Sequence, residues 1–518
     1  MSEIVNSSLK TAVKGTTLVF LGTVASTILW FATKILIVRN TTKEELGIYS
    51  LAIAVVGIFS LIAGAGLQNG VTRYISIFLG KNKENDAKAV SKASIQIATL
   101  AGITASLLLY IFAAPIAQHV FYMPEFTLPL KVISMFVFFE VVSKVLIGVM
   151  RGYGIIKPMV YYINIGQPLF FLIFLIVCFS IKLPFISVLY AFVFSMLLVM
   201  ISIGTYGHKK VGFSPFALRG GKFKMELLRF SVPLLGVAVM GIVFTRTDTL
   251  MLGRYATAED VGVYNVSISL VRLLTFVLGA AAFVFMPVAG DMYAKKQLPE
   301  LKRTYQILTK WVFSATLPLF FVMFFFPEMI ITFLFGERYI DSSIPLRILS
   351  LGFMVYVFVG TNTMMLTVLG MSKKLMNVSI FGTVLNILLN YILIKRLGFG
   401  IIGASVATAA SYATVSFINA YVLYRHSKIH PITLGYIKPI IGSAVIGLII
   451  YGVVKTLPFF YFWMLPLYFM LFLIGYFVSL LLTRSLDRED IAMFEAISEK
   501  TGLEMKFIRK LIYRFAHN

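Results

Sequence analysis

Apolar residues run along this chain in continuous stretches of about twenty positions, separated by short polar segments. A helix needs roughly 20 apolar residues to cross the hydrocarbon core of a bilayer. The pattern predicts spans at 15–38, 47–66, 90–113, 128–150, 158–181, 183–205, 230–252, 262–289, 311–327, 344–370, 376–394, 400–424, 437–456 and 460–483. Barrel strands would alternate apolar and polar residues over about ten positions, whereas these runs are unbroken. Lys10 and Lys14 precede the first run as in a signal peptide. That run is longer than a signal core of about 7–15 residues and is read as a retained first helix. The short run at 329–335 reads either as loop or as a re-entrant piece. The expected fold class is all-α: a polytopic membrane protein with about fourteen transmembrane helices.

Composition agrees with the pattern. The 518 residues are 59% hydrophobic and 13% charged, where a soluble domain carries about 25% charged residues. The formal net charge of +24 raises the question of nucleic acid. With the N-terminus placed inside, 32 of the 46 Lys and Arg residues fall on the inner side, as the positive-inside rule expects. The basic excess is therefore topological, and no nucleic-acid partner is expected. An even number of spans puts both termini in the cytoplasm, with the chain in the cell membrane. The inter-span segments are too short for a soluble catalytic domain, so an enzyme is not expected. Cys178 is the only cysteine, which excludes an intrachain disulfide.

The chain repeats itself. RNTTKEELGIY (39–49) recurs as RYATAEDVGVY (254–264), with Arg39, Thr42, Glu44, Gly47 and Tyr49 matching Arg254, Thr257, Glu259, Gly262 and Tyr264 at an offset of 215. Gly154, Lys157 and Gly166 match Gly370, Lys373 and Gly382 at nearly the same offset. The repeat unit is six spans, so both copies enter the membrane in the same orientation, and two helices are appended. The predicted organisation is an N-terminal six-helix lobe (1–205), a cytoplasmic linker (206–229), a C-terminal six-helix lobe (230–424), helices 13–14 (437–483) and a cytoplasmic tail (484–518). Transporters built from parallel repeats place substrate between the halves and expose it alternately by rocking.

Three segments carry a family resemblance: DTLMLGRYATAEDVGVYNVS (248–267), LFGERYIDSSIPLRILSLG (334–352) and MRGYGIIKP (150–158). With the span count and the duplication, the chain resembles the polysaccharide transporters, or lipid-linked oligosaccharide flippases, of the multidrug/oligosaccharidyl-lipid/polysaccharide exporter superfamily. The resemblance implies two six-helix lobes around a central cavity. It also implies a polyprenyl-linked saccharide flipped from the inner to the outer leaflet. The partners it implies are the bilayer, a lipid-linked anionic saccharide and other polysaccharide-assembly membrane proteins. No cofactor or metal is expected.

Ionisable residues inside spans are costly and face a cavity, one another or a ligand. More than three positions from a span end these are Lys34, Glu140, Lys144, Arg246, Asp248 and Arg272. Glu140 and Lys144 stand four apart, the spacing at which opposite charges meet on a helix. Lys34 lies near a helix end, where its stem can snorkel. Asp248 is two residues from Arg246 and off its helix face. At about 1.5 Å rise per residue, Arg246 and Arg272 differ in depth by only about 6 Å on antiparallel neighbours. Arginine forks bind phosphate oxygens bidentately, so the pair suits a diphosphate. Structural anchoring of Asp248 or of loop carbonyls is the other reading. The candidate substrate-binding cations are Arg246, Arg272, Lys144 and Lys34, with Glu140 and Asp248 as cavity acids.

Gln68, Asn69, Asn164, Gln167, Asn362, Asn386 and Asn390 lie in or at the ends of spans, where amides serve as interhelical hydrogen bonds. The five histidines fall in loops or the tail. The tail turns basic after Leu503, with Phe507, Ile508, Leu511, Ile512 and Phe515 at helical spacing, which suits a helix lying on an anionic leaflet. A drug/cation antiporter of the same superfamily is the principal rival. It would favour an acidic cavity, whereas the spans hold four basic and two acidic residues more than three positions from their ends. A membrane glycosyltransferase or polymerase is the weaker rival.

Overall fold

A computed structural model describes residues 2–212, 223–431, 437–456 and 464–483. The tail from 484 and its predicted amphipathic helix lie outside the described residues, as do residues 213–222 of the 206–229 linker. The helices are α1 (Ser2–Asn40), α2 (Lys43–Gly64), α3 (Leu67–Gly80), α4 (Glu84–Pro115), α5 (Thr127–Gly152), α6 (Gln167–Ser180), α7 (Ile186–Val211), α8 (Lys224–Tyr255) and α9 (Ala258–Val271). They continue with α10 (Leu274–Ala294), α11 (Leu298–Phe325), α12 (Pro327–Phe335), α13 (Ser343–Val359), α14 (Thr361–Val368), α15 (Ser372–Asn390), α16 (Gly400–Ser427), α17 (Ile437–Thr456) and α18 (Leu465–Leu482). Among the described residues there is no strand. In lipid a helix satisfies its backbone donors and acceptors internally, which is why continuous apolar runs take this form.

Ten helical segments among the described residues are long and apolar enough to cross a membrane, and an eleventh arises if the bent pair α9–α10 is one span. Helices α8, α17 and α18 stand at the places predicted for the seventh, thirteenth and fourteenth spans. The predicted boundaries were too tight at several ends. The second span continues through α3 to Gly80, and α11 begins at Leu298 rather than at 311. The run at 329–335 is part of a short helix, α12. The eighth span, expected as one helix over 262–289, is broken between Val271 and Leu274 with a bend of 44°.

The chain forms two compact units, residues 1–265 with 390–401, and residues 266–389 with 402–518. In the first unit, α5 packs against α2, α3, α4 and α7. Gly148 and Gly152 let α5 approach α3 closely: a Cβ at Gly148 would crowd the Gln68 backbone, and one at Gly152 would crowd Ile75. Thr72 Oγ1 donates to the Gly148 carbonyl at 2.9 Å, and Ser76 Oγ donates to that of Gly152 at 3.2 Å. Small residues and hydroxyl bonds of this kind hold helices together where no water drives them together.

In the second unit, α11 packs against α10, α13 and α17. Gly352 of α13 lies on the backbone of Ala409 in α16. The Tyr476 hydroxyl donates to the Ser314 carbonyl at 3.1 Å and ties α18 to α11. A buried polar seam joins α11 to α14 through Tyr305 with Asn362 and Thr309 with Thr361.

Candidate functional site

The repeated segments form two helix-opening turns with the same chemistry. Before α2, the Thr42 amide donates to Glu45 Oε2 at 2.8 Å and the Glu45 amide donates to Thr42 Oγ1 at 3.2 Å. Before α9, the Thr257 amide donates to Asp260 Oδ2 at 3.1 Å and the Asp260 amide donates back to Thr257 Oγ1 at 3.1 Å. Each is a capping box, which satisfies donors that the first helical turn leaves open. The matched positions Glu44 and Glu259 stand in the first turns of their helices, where the helix dipole favours a carboxylate.

These two turns touch, and they touch reciprocally. A Cβ on Gly47 would collide with the carbonyl oxygen of Ala258, and one on Gly262 would collide with that of Lys43. Ala258 is the repeat counterpart of Lys43, as Gly262 is of Gly47. Each copy therefore lays its glycine on the other's helix start. Lys43 Nζ lies 3.0 Å from Glu259 Oε1 across the contact. That pair is partly exposed, so its contribution is about 0–1 kcal/mol. Glycine is required here for close backbone approach, a role that the sequence match alone did not show.

The six intramembrane charges fall in different settings. Glu140 and Lys144 form the expected ion pair, 2.7 Å apart on α5. Lys34 is half-buried on α1. Arg246 is half-buried in the last third of α8. Asp248 is only 4% exposed. Its carboxylate accepts from the Tyr264 hydroxyl at 2.7 Å and from Asn390 Nδ2 at 2.8 Å. Both donors are buried. Neither follows from the spacing of Asp248 in the chain, although Tyr264 is a repeat position and Asn390 an in-span amide.

Arg272 is exposed and sits in the break between α9 and α10. Around it the ladder changes to tighter bonds, with the Leu273 amide on the Leu270 carbonyl at 2.9 Å and the Phe276 amide on the Leu273 carbonyl at 3.1 Å. The Thr275 hydroxyl and amide both donate to the Arg272 carbonyl, at 2.8 and 3.1 Å. A short passage to i→i+3 bonding marks a place where a helix can bend. One further cation escaped the span prediction. Lys310 is only 8% exposed because α11 begins twelve residues before it.

A family model described as polysaccharide biosynthesis protein matches residues 12–293, more than half the chain. The chain belongs to that family. A second model, MatE, matches residues 233–392. The chain is 26% identical over 238 residues to the probable low-salt glycan biosynthesis flippase Agl15 of Haloferax volcanii, covering 45% of this chain and 49% of that one. It thus spans about half the length of that curated relative. Among solved structures, the fold is similar to an inward-facing multidrug resistance transporter of the MATE family and MOP superfamily, with TM-score 0.68 and 18% identity. That likeness covers 78% of this chain and 94% of the other. It is also similar to the lipid II flippase MurJ in an inward closed conformation, with TM-score 0.67 and 17% identity. Here the match covers 89% of this chain and 97% of the other. The family member described here accordingly shares its fold with these two solved proteins.

Proposed function

We propose that this protein flips a polyprenyl-diphosphate-linked saccharide from the inner to the outer leaflet of the cell membrane, with both termini cytoplasmic. Alternating access by the two six-helix lobes, 1–205 and 230–424, moves the cargo. Arg246 and Arg272 are assigned to the diphosphate, with Lys144 and Lys34 as accessory cations. Family membership and the glycan-biosynthesis flippase relative support this reading.

The observation that carries it is the state of the two acids. Glu140 is engaged by Lys144, and Asp248 by Tyr264 and Asn390. With the Glu140–Lys144 pair counted as neutral, Lys34, Arg246 and Arg272 outnumber Asp248, whose bonds to neutral donors leave its charge in place, so the net charge of these six residues is positive. A cationic interior suits a diphosphate, whose oxygens accept charge-assisted bonds from guanidinium forks.

Reconstitution into liposomes with polyprenyl-diphosphate sugars tests the proposal. Cargo should appear in the opposite leaflet with the protein and not without it. Absence of leaflet transfer for every such sugar by folded protein would overturn the reading. The MatE match over 233–392 favours a drug/cation antiporter as the second reading. That reading requires a carboxylate to carry the coupling cation. Asp248→Asn would then abolish cation-driven drug movement, an activity the flippase reading does not predict.

A further inference from the structure

Three cations and three tyrosines gather at one end of the first compact unit. They come from the end of α8 (Arg254, Tyr255), from the turn after α4 (Tyr122) and from the π-helical segment Tyr391–Arg396 (Tyr391, Lys395, Arg396). The Arg254 guanidinium lies over the Tyr122 ring, 4.1 Å from its centroid, and Nη2 donates to the Tyr122 hydroxyl at 2.9 Å. Lys395 Nζ sits between two rings, 5.2 Å from the centroid of Tyr255 and 4.9 Å from that of Tyr391. Those rings meet edge to face at 6.3 Å. Arg396 lies 6.0 Å from the Tyr391 ring. The wider turn of the π-helix brings Tyr391, Lys395 and Arg396 to one side, and such segments recur at functional sites.

None of the three cations forms an ion pair with a carboxylate among the described residues. Arg254 Nη1 is buried and has no acceptor. A buried donor without a partner costs about 1–3 kcal/mol, so an acceptor from outside the chain is expected at that point. An ordinary interfacial belt also carries tyrosines and cations, but its cations extend to water, whereas the Arg254 guanidinium is held against the Tyr122 ring. Exposed apolar side chains adjoin the cluster in the chain, Ile392 on the same segment, Leu397 just after it and Val120 before Tyr122.

We propose that Arg254, Lys395 and Arg396, framed by Tyr122, Tyr255 and Tyr391, bind the phosphate of an anionic lipid headgroup at the membrane surface. Guanidinium and ammonium groups take the oxyanion. The rings set headgroup depth, and the neighbouring apolar side chains take the start of an acyl or prenyl chain. None of these three cations is among the residues assigned to cargo, and Arg254 stands eight residues after Arg246 on α8.

Native mass spectrometry of the full chain in detergent tests this, with dioleoylphosphatidylglycerol and dioleoylphosphatidylcholine as probes. The wild type should retain phosphatidylglycerol preferentially. Each neutralised cation should weaken retention about fivefold, from about 1 kcal/mol per basic residue near an anionic surface. The triple variant Arg254→Gln/Lys395→Gln/Arg396→Gln should lose the preference, and Lys182→Gln, an exposed cation elsewhere, should keep it. Should Arg254→Gln impair folding, the exposed pair Lys395→Gln/Arg396→Gln carries the test. A folded triple or double variant with undiminished preference would overturn the site. Decaprenyl phosphate distinguishes the two sources of the headgroup. Displacement of phosphatidylglycerol from the wild type, and not from the triple variant, assigns the site to phosphorylated polyprenol. Retained phosphatidylglycerol that still depends on the three cations assigns it to bilayer lipid.

Discussion

The two copies of the repeat share a turn and differ in what they carry into the membrane. Both open with a capping box and both present a glycine to the other's backbone. Yet 215 residues before Arg246, Asp248 and Arg272 stand Phe31, Thr33 and Gly57. Thr33 is satisfied locally, its hydroxyl donating to the Trp30 carbonyl at 2.8 Å. Tyr264 donates to Asp248, whereas its counterpart Tyr49 packs edge-on against Phe192. The turn therefore forms without the three charges, which stand in one copy only. What the copies share is explained by helix-end chemistry, and what they do not share is left for function.

The largest expected effect tests that division. A charge-assisted hydrogen bond contributes about 1.5–3 kcal/mol, so Arg246→Ala or Arg272→Ala should lower cargo affinity roughly ten- to a hundredfold. Arg→Lys keeps charge without the planar fork and should retain part of the function. Abundance and melting temperature must stay near wild type in these variants, since the first copy folds the same turn without them. Full leaflet transfer by the folded alanine variants would remove the arginines from the cargo site.

Next come the reciprocal glycines. Gly47→Ala and Gly262→Ala each place a methyl against a carbonyl oxygen, and overpacking of this kind costs about 1–3 kcal/mol. Thermal melts should show two similar losses. A large loss at one glycine and none at the other would break the symmetry of the contact. Smaller are the caps, where Thr42→Ala and Thr257→Ala should each cost about 0.5–2 kcal/mol in denaturation. The smallest is the Lys43–Glu259 bridge: a double-mutant cycle with Lys43→Gln and Glu259→Gln should give a coupling of about 0–1 kcal/mol.

Span positions, the repeated turn and the Glu140–Lys144 pair were legible because each rests on local periodicity. Apolar runs of helical length read as helices, and charges four apart meet. The break at Arg272 was not legible. Residues 266–278 contain neither glycine nor proline, and the bend arises where Thr275 takes over the Arg272 carbonyl. The corresponding break in the first copy lies elsewhere, at Ala65 and Gly66, both in the left-handed region with φ of 41° and 67°. There the glycines on either side of Ala65 are visible in the chain. The partners of Asp248 were hidden for another reason: Asn390 is 142 residues away, a contact that only tertiary packing creates. Lys310 lies one residue before the predicted span at 311–327 because hydropathy finds the apolar core of α11 and not its polar first turns.

The contact between the repeated turns has the grammar of a twofold dimer within one polypeptide. Residue i of one copy meets residue j of the other, and j meets i, as in an isologous interface between identical subunits. A single six-helix ancestor displaying Lys43 and Gly47 would have had to find the same surface on a second molecule. Duplication then made that encounter intramolecular, and thereby independent of protein concentration. With both halves in one chain, either can carry charges that the other lacks, and Arg246, Asp248 and Arg272 stand in one copy only.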